Sequence, residues 1–265
     1  MSDSADSRAQ LLRSLHIPSS PIVFSNVWDA TTAQYVASHP TSTALATASF
    51  AIASVHGVAD DALDLPTNLS AISRIIPIAL KHNKPITIDM QDGYGDRLEE
   101  GIEAIISLGA SGCNLEDRDN ATGELFPLDI AVQRVQRVVA TATRLGVPNF
   151  VLNARTDTIV VGNEVDDAIV RGKAYLEAGA ANVFVWGGPK RGGLKKEEAK
   201  RVCEALGGKV NVIAVPGESG GLSVRELADL GVARISVGPR LWRKANAAFE
   251  MAADELLGEY KALRE

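Results

Sequence analysis

The sequence has little cysteine. Two occur in 265 residues, Cys113 and Cys203, and neither belongs to a C-x-x-C pair. Free, buried thiols in a reducing compartment are expected, Cys113 in a strand and Cys203 in a helix. The four histidines, His16, His39, His56 and His82, show no metal-ligand spacing and read as surface or helix-end residues; His56, after the second strand region, is the one nearest a candidate site. No apolar run reaches the roughly 18 residues that span a bilayer. Met1 to Ala9 is Ser/Asp-rich without the apolar stretch of a signal peptide, so a cytoplasmic location is expected. No Lys/Arg cluster stands out and the net charge is −6, which argues against nucleic-acid or anionic-membrane partners. An anionic ligand must therefore be drawn by local groups. No G-x-G-x-x-G follows the first strand and no P-loop occurs, so the phosphate fingerprints of open doubly wound sheets are missing. No linker or low-complexity segment divides the chain.

What is present is a chain of 46% apolar and 23% charged residues, able to bury a full core. Short apolar runs suited to buried parallel strands lie at Ile22–Phe24, Ala44–Thr47, Ile86–Asp89, Gly112–Glu116, Phe150–Ala154, Val183–Val185, Val210–Val215 and Ile235–Val237. Helical periodicity fills Arg97–Leu108, Leu128–Leu145, Asp166–Ala178, Lys195–Leu206 and Val224–Leu230. Gly109, Gly146, Gly179 and Gly231 each follow a helical stretch and precede an apolar run, as left-handed helix stops do. Alternation of this kind over about 250 residues predicts one α/β domain, a closed (β/α)8 TIM-type barrel, in preference to an open sheet. Residues 1–15 form an N-terminal segment. Residues 242–265 form a long amphipathic C-terminal helix that caps the barrel or docks on a neighbouring subunit.

In such barrels the chemistry sits where the strands end. The candidate strand ends are polar: Asn26 and Asp29, Ser49, Asp89 and Asp92, Glu116 and Asp117, then Asn153, Arg155 and Asp157. Strand seven begins with Asn211 and ends at Val215-Pro216-Gly217. A carboxylate closing a buried strand is costly unless paired or metal-bound. Asp89 and Glu116 close adjacent strands, and adjacent strands lie about 4.8 Å apart. Two readings follow. The pair holds a divalent metal, and an oxygen-only donor set favours Mg²⁺ or Mn²⁺ over Zn²⁺. Alternatively, both carboxylates cap helices and pair with Arg155. Arg155 offers a planar fork for a carboxylate or phosphate, or else an internal salt bridge to Asp157 or Glu116. Trp28 and Trp186 stand at strand ends, where they either pack or wall a pocket. Gly187–Gly193 is a glycine-rich basic loop, read first as a flexible connection and second as a phosphate contact.

These residues resemble, in order along almost the whole chain, the isocitrate lyase/phosphoenolpyruvate mutase superfamily. The resemblance rests on Asn26-Val27-Trp28-Asp29-Ala30, on Thr47 to Phe50 with Gly57-Val58-Ala59-Asp60, and on Asp89 to Gly95, similar to D-x-D-x-G-Y-G. It continues through Leu115-Glu116-Asp117, Asn153 to Asp157, Val210 to Gly217 and Gly231 to Gly238. It implies a Mg²⁺-dependent enzyme making or breaking a C–C or P–C bond beside a 2-oxo carboxylate through an enolate. It also implies roles: Asp89 as direct metal ligand, Glu116 and Asp60 orienting metal-bound waters, and Arg155 binding the substrate carboxylate. Ser49 and Phe50 would offer backbone N–H groups, Trp28 would wall the pocket, and Asn211 would join the substrate-binding set.

The departures narrow this expectation. Gln91 stands where the family has a second acid, and Ala48 where it has a Ser. The loop Arg118 to Pro127 lacks the K-K-C-G-H of the family's lyases, so their Cys acid/base is absent. The closest resemblance is to the less characterised, phosphoenolpyruvate phosphomutase-like branch that includes oxaloacetate-decarboxylating members. The expected function is cleavage of a C–C bond in a small 2-oxo or 2-hydroxy dicarboxylate. The alternatives are P–C chemistry on a phosphonopyruvate-type substrate, and a catalytically impaired barrel that serves as a binding protein. A homo-oligomer, a tetramer with the last helix swapped between subunits, is implied by the same resemblance.

Overall fold

A computed structural model describes residues 4–215 and 221–264, with the Lys190 side chain outside that description. The expected end of strand seven at Pro216-Gly217 lies outside the described residues, as do 1–3 of the N-terminal segment and 265 of the last helix. Eight parallel strands form one sheet in the order β1-β8-β7-β6-β5-β4-β3-β2. They are β1 (Ile22–Val23), β2 (Leu45–Ala46), β3 (Ile86–Asp89), β4 (Gly112–Glu116), β5 (Val151–Thr156), β6 (Asn182–Val185), β7 (Val210–Ile213) and β8 (Arg234–Ser236). The sheet closes on itself through a parallel bridge between Val27 and Thr47, where Val27 N–H donates to Ala46 O at 2.8 Å and Ala48 N–H to Val27 O at 3.1 Å. The expected (β/α)8 barrel is therefore observed.

The helices around it are α1 (Ala5–Ser14), α2 (Ala30–Ser38), α3 (Ser49–Val55), α4 (Leu65–Lys81), α5 (Leu98–Leu108), α6 (Leu128–Arg144), α7 (Val165–Glu177), α8 (Lys196–Ala205), α9 (Val224–Asp229) and α10 (Arg240–Ala262). The amphipathic stripes of α5 and α6 turn inward: α5 buries Leu98, Ile102, Ile105 and Ile106, and α6 buries Val135 and Val138. The four glycine stops all carry positive φ, between 77° at Gly146 and 109° at Gly109, a region that β-carbons disfavour. Both cysteines are free and buried, Cys113 in β4 and Cys203 in α8.

Helices α1 to α4 are not visible in the periodicity. α4 carries Pro66 in its first turn and Pro77 inside it, which reads as a break. Its start is nonetheless capped, since the Asp64 carboxylate accepts from Thr67 N–H at 2.8 Å. α1 covers the N-terminal end of the barrel. Leu12 packs there with Ile22, Phe24 and Val151, and Arg13 donates to the carbonyls of Asn149 and Phe150. The opposite end stays open. α10 buries none of its residues and exposes Phe249, Met251, Leu256, Leu257 and Tyr260.

Candidate functional site

The open end holds a cavity of about 220 Å³, whose wall includes Ser49, Phe50, Asp60, Asp89, Arg155 and Asn211. Trp186, Arg234 and Arg243 complete its rim and floor. Of the eight residues given roles by the resemblance, six thus meet at one place. Two do not. Trp28 lines a separate outer depression with His56 and Arg74. Glu116 stands behind Arg155, in a small crevice with Asp117 and Arg134.

Asp89 ends β3, and its carboxylate is held from two sides. Oδ2 accepts from the Ser49 N–H at 3.0 Å and Oδ1 from the Asn114 Nδ2 at 3.1 Å. Ser49 opens α3, whose preceding residue Ala48 supplies no side-chain cap, so Asp89 performs that service across the strands. The Ser49 N–H, expected to face a substrate oxygen, is already engaged. Behind Asn114 runs a ladder set by strand register, because Asp89, Asn114, Asn153 and Asn182 are successive partners on β3, β4, β5 and β6. Asn182 donates to Asn153 Oδ1 at 3.0 Å, and Asn153 to Asn114 Oδ1 at 2.8 Å. A carboxylate only accepts, so Asp89 fixes the direction of every amide in the row.

Asp60 lies on a short turn, Asp60–Ala62, and accepts at Oδ1 from Ser49 Oγ and Gln91 Nε2, each at 3.0 Å. Gln91, in the position of the family's second acid, adopts a left-handed φ of 50° and spends its amide on Asp60. Its Oε1 is buried without a partner. Burial and the nearby Asp89 raise the Asp60 carboxyl above its ordinary range.

Arg155 is clamped by carboxylates. Nε and Nη2 donate to the two oxygens of Asp157 at 2.8 and 2.9 Å, and Nη1 to Glu116 Oε1 at 2.7 Å. The guanidinium lies over the Phe184 ring, 5.4 Å from its centroid. Burial works against its charge, but Asp157 and Glu116 more than offset that and hold it firmly protonated. A guanidinium has five N–H donors, so the three bonds leave two for a ligand. Both alternatives open for Arg155 therefore hold in part: it is salt-bridged and it lines the cavity. Glu116 is raised well above its usual value, by burial first, with Arg155 pulling the other way.

A second network supports the clamp. Asp117 accepts from the Asp157 N–H at 2.9 Å, from Tyr175 Oη at 2.6 Å and from Arg171 Nη1 at 3.2 Å. Burial raises the Asp117 carboxyl despite these donors. Its folded form thus binds a proton more tightly than the unfolded chain. The stability it contributes is complete below the ordinary Asp value and declines as pH rises through the folded one. Tyr175→Phe removes one donor, so unfolding in urea should show a loss of about 1–3 kcal/mol at pH 8 that shrinks toward pH 4. A loss equal at both pH values would contradict this role.

The missed residues had no signal of spacing. Asn68 donates to Asp89 O at 3.0 Å and to Tyr94 Oη at 2.7 Å from inside the unrecognised α4. Arg234, at the start of β8, is a buried cation whose guanidinium sits over Phe24, 4.6 Å from the ring centroid. Burial pulls it down to about 9. The loop after β4 is closed on itself by Arg118 Nε to Gly123 O at 2.9 Å, and Asn120 N–H is tied to Asp92 Oδ2 at 3.1 Å.

Among the described residues, no group of three or more His, Cys, Asp or Glu is arranged to hold a metal. A Mg²⁺ ion does not require one, since it keeps most of its waters and takes one or two carboxylates. Asp89 and Asp60 fit that demand. They are close enough to raise Asp60, an excess of negative charge that a divalent cation relieves. The donors are all oxygen, and each Asp89 oxygen accepts one protein hydrogen bond and keeps a further lone pair.

Comparison with known proteins bears on the family and the fold. The family pattern named phosphoenolpyruvate phosphomutase matches residues 12–257. A solved structure of a candidate phosphonomutase from Burkholderia cenocepacia J2315 is 32% identical, with a TM-score of 0.83 over 94% of this chain and 99% of that one. The structure of 2,3-dimethylmalate lyase is 25% identical, TM-score 0.81, over 94% of this chain and 87% of the other. Oxaloacetate acetylhydrolase in complex with its product oxalate is 25% identical, TM-score 0.82, over 96% and 88%.

Proposed function

Since the chain belongs to the phosphoenolpyruvate phosphomutase family, we propose that it is a Mg²⁺-dependent lyase or decarboxylase. The bond it breaks is a C–C bond next to a 2-oxo or 2-hydroxy carboxylate, by way of an enolate. The observation that carries this reading is the Asp89 carboxylate at the barrel mouth, held from both sides and sharing one cavity with Asp60 and Arg155. A Mg²⁺ ion held at Asp89, with Asp60 beside it, would supply electrophilic stabilisation of the developing oxyanion. The chain's own groups do the rest. Arg155, with two N–H groups to spare, binds the substrate carboxylate. Its pairing with Asp157 and Glu116 fixes the fork in place before substrate arrives. Asp60, held by Ser49 Oγ and Gln91 Nε2, would orient water on that ion. Neighbouring lyases and hydrolases that act on dimethylmalate and oxaloacetate support the substrate class.

A panel of 2-oxo and 2-hydroxy dicarboxylates, assayed for pyruvate, oxalate or carbon dioxide with Mg²⁺ and with a chelator, tests the proposal. Metal-dependent C–C cleavage of one member is expected. Release of inorganic phosphate from phosphonopyruvate would instead favour the P–C reading, which the similarity to a candidate phosphonomutase supports. Neither turnover nor Mg²⁺-dependent oxalate binding would leave the barrel as a binding protein.

A cytosolic homo-oligomer is part of the same proposal. α10 has no fully buried residue and carries six exposed large apolar residues along 23 positions, surface that a neighbouring subunit would cover. Light scattering should show more than one subunit, with a tetramer expected; a monomer at micromolar concentration would refute it. No helix among the described residues is long and apolar enough to cross a membrane.

A further inference from the structure

We propose that Arg234 forms an anion subsite on the floor of the mouth cavity, and that its occupant is the distal carboxylate of a dianionic substrate. This rests on the 2-oxo or 2-hydroxy dicarboxylate reading of the site. Arg234 opens β8, is 3% exposed and lines the same cavity as Asp89 and Arg155. The two arginines differ in their partners. Arg155 is matched to two carboxylates by three hydrogen bonds. Arg234 forms no ion pair among the described residues, and its Nε and Nη1 are buried without a hydrogen-bond acceptor. Its guanidinium stacks on the face of Phe24, with Asp89, Cys113 and His16 within electrostatic reach.

A buried guanidinium in that condition is expensive, because water has been removed from a full charge and no hydrogen-bond acceptor replaces it at Nε and Nη1. Structures keep such a group where a ligand supplies the missing charge. The floor also includes Thr87, whose buried hydroxyl has no hydrogen-bond partner among the described residues. Asn211 does not compete for Arg234, since it exchanges hydrogen bonds with Ser236 at 3.1 and 3.2 Å. Small side chains, Ala46 and Ala48, line the β2 side of the cavity and leave room for an extended acid. Asp89 lies within electrostatic reach of both arginines. A substrate with one anionic group at Arg155 and a second at Arg234 would share its cavity with Asp89, the residue proposed to hold the metal. A carboxylate of a four-carbon acid suits the charge and the fork; a water molecule would satisfy the N–H groups but not the charge.

The test is calorimetric binding to the full-length protein with Mg²⁺ present, using oxalate, L-malate and L-lactate. Lactate is malate without its distal carboxylate. Wild type is expected to bind malate at least tenfold more tightly than lactate. Arg234→Met should erase that preference by weakening malate at least tenfold, while oxalate stays within about twofold of wild type. Arg234→Lys should keep part of it. The Met variant is expected to melt no lower than wild type without ligand, since it removes an unpaired buried charge. An unchanged malate preference in Arg234→Met overturns the proposal, as does an equal loss of all three ligands, or a wild type that does not distinguish malate from lactate. A sodium chloride titration separates the sources of the anion. A chloride-dependent rise in melting temperature that Arg234→Met abolishes, without a malate preference, would assign the subsite to an inorganic ion and overturn the substrate assignment. Oxalate binding by wild type keeps all of these apart from failure of the metal-site reading, which would abolish oxalate binding itself.

Discussion

Asp89→Ala should lose turnover by about a thousandfold or to background, with the fold intact, on whichever dicarboxylate the panel identifies. The reason lies in how little else can replace this carboxylate. Asp60 is tied to Ser49 Oγ and Gln91, and Glu116 is committed to Arg155 and sits outside the cavity. The variant leaves the Ser49 N–H and the Asn114 amide without their acceptor, a cost of about 1–3 kcal/mol each if they stay buried. It also removes a charge that disfavours ionised Asp60, which offsets part of that cost. Melting should therefore shift by a few degrees while the Mg²⁺-induced shift disappears. Asp89→Asn keeps the shape and should be equally inactive. Substantial activity in either variant, on a substrate that wild type turns over with Mg²⁺, would remove Asp89 from the centre of the account.

The second large effect is expected from Arg155→Met, and it is first an effect on stability. Glu116 and Asp157 would remain buried with their shared cation gone, which costs about 3–5 kcal/mol for a broken buried pair. The pH dependence carries the signature. Glu116 already titrates above its ordinary value, and Arg155 is the group that restrains the shift. Without Arg155 it rises further, so the folded variant holds its proton more tightly than the unfolded chain does. That stability is complete below the ordinary carboxyl range and is lost as pH climbs through the folded value. Denaturation at pH 5 and pH 8 should show the deficit of Arg155→Met largest at pH 8. Arg155→Lys keeps a charge but not the fork. It should fold and raise KM about tenfold or more, in line with about 1.5–3 kcal/mol for a hydrogen bond to a charged group. A Lys variant with wild-type KM would place the substrate carboxylate elsewhere.

Much of this site is legible in the sequence where a buried strand ends in a charge. Ile86–Asp89 and Gly112–Glu116 are bounded in the structure as the apolar runs suggest, because each run stops at a carboxylate that burial alone would exclude. What is not legible is partnership. Whether Glu116 faces a metal or Arg155 depends on side-chain direction across β4 and β5, and the structure gives it to Arg155. Trp28 follows strand one in the sequence yet lines an outer depression beside His56 and Arg74, because the loop after β1, not the strand, sets its direction. Helices α1 to α4 escape because prolines in α4 and short Ala/Ser/Thr stretches in α2 and α3 weaken the period. Arg234 escapes for a different reason. An arginine at the start of a strand reads as a surface residue, and only the closed barrel shows that it points into the core.

The central claim is that Asp89 anchors a Mg²⁺-supported site for an enolate-like ligand. Titration of oxalate into the protein, with Mg²⁺ and with a chelator, tests it most directly. Binding that requires Mg²⁺ and vanishes in Asp89→Ala is the predicted result. Oxalate binding that is equally tight without the metal, or that survives in Asp89→Ala, would contradict it.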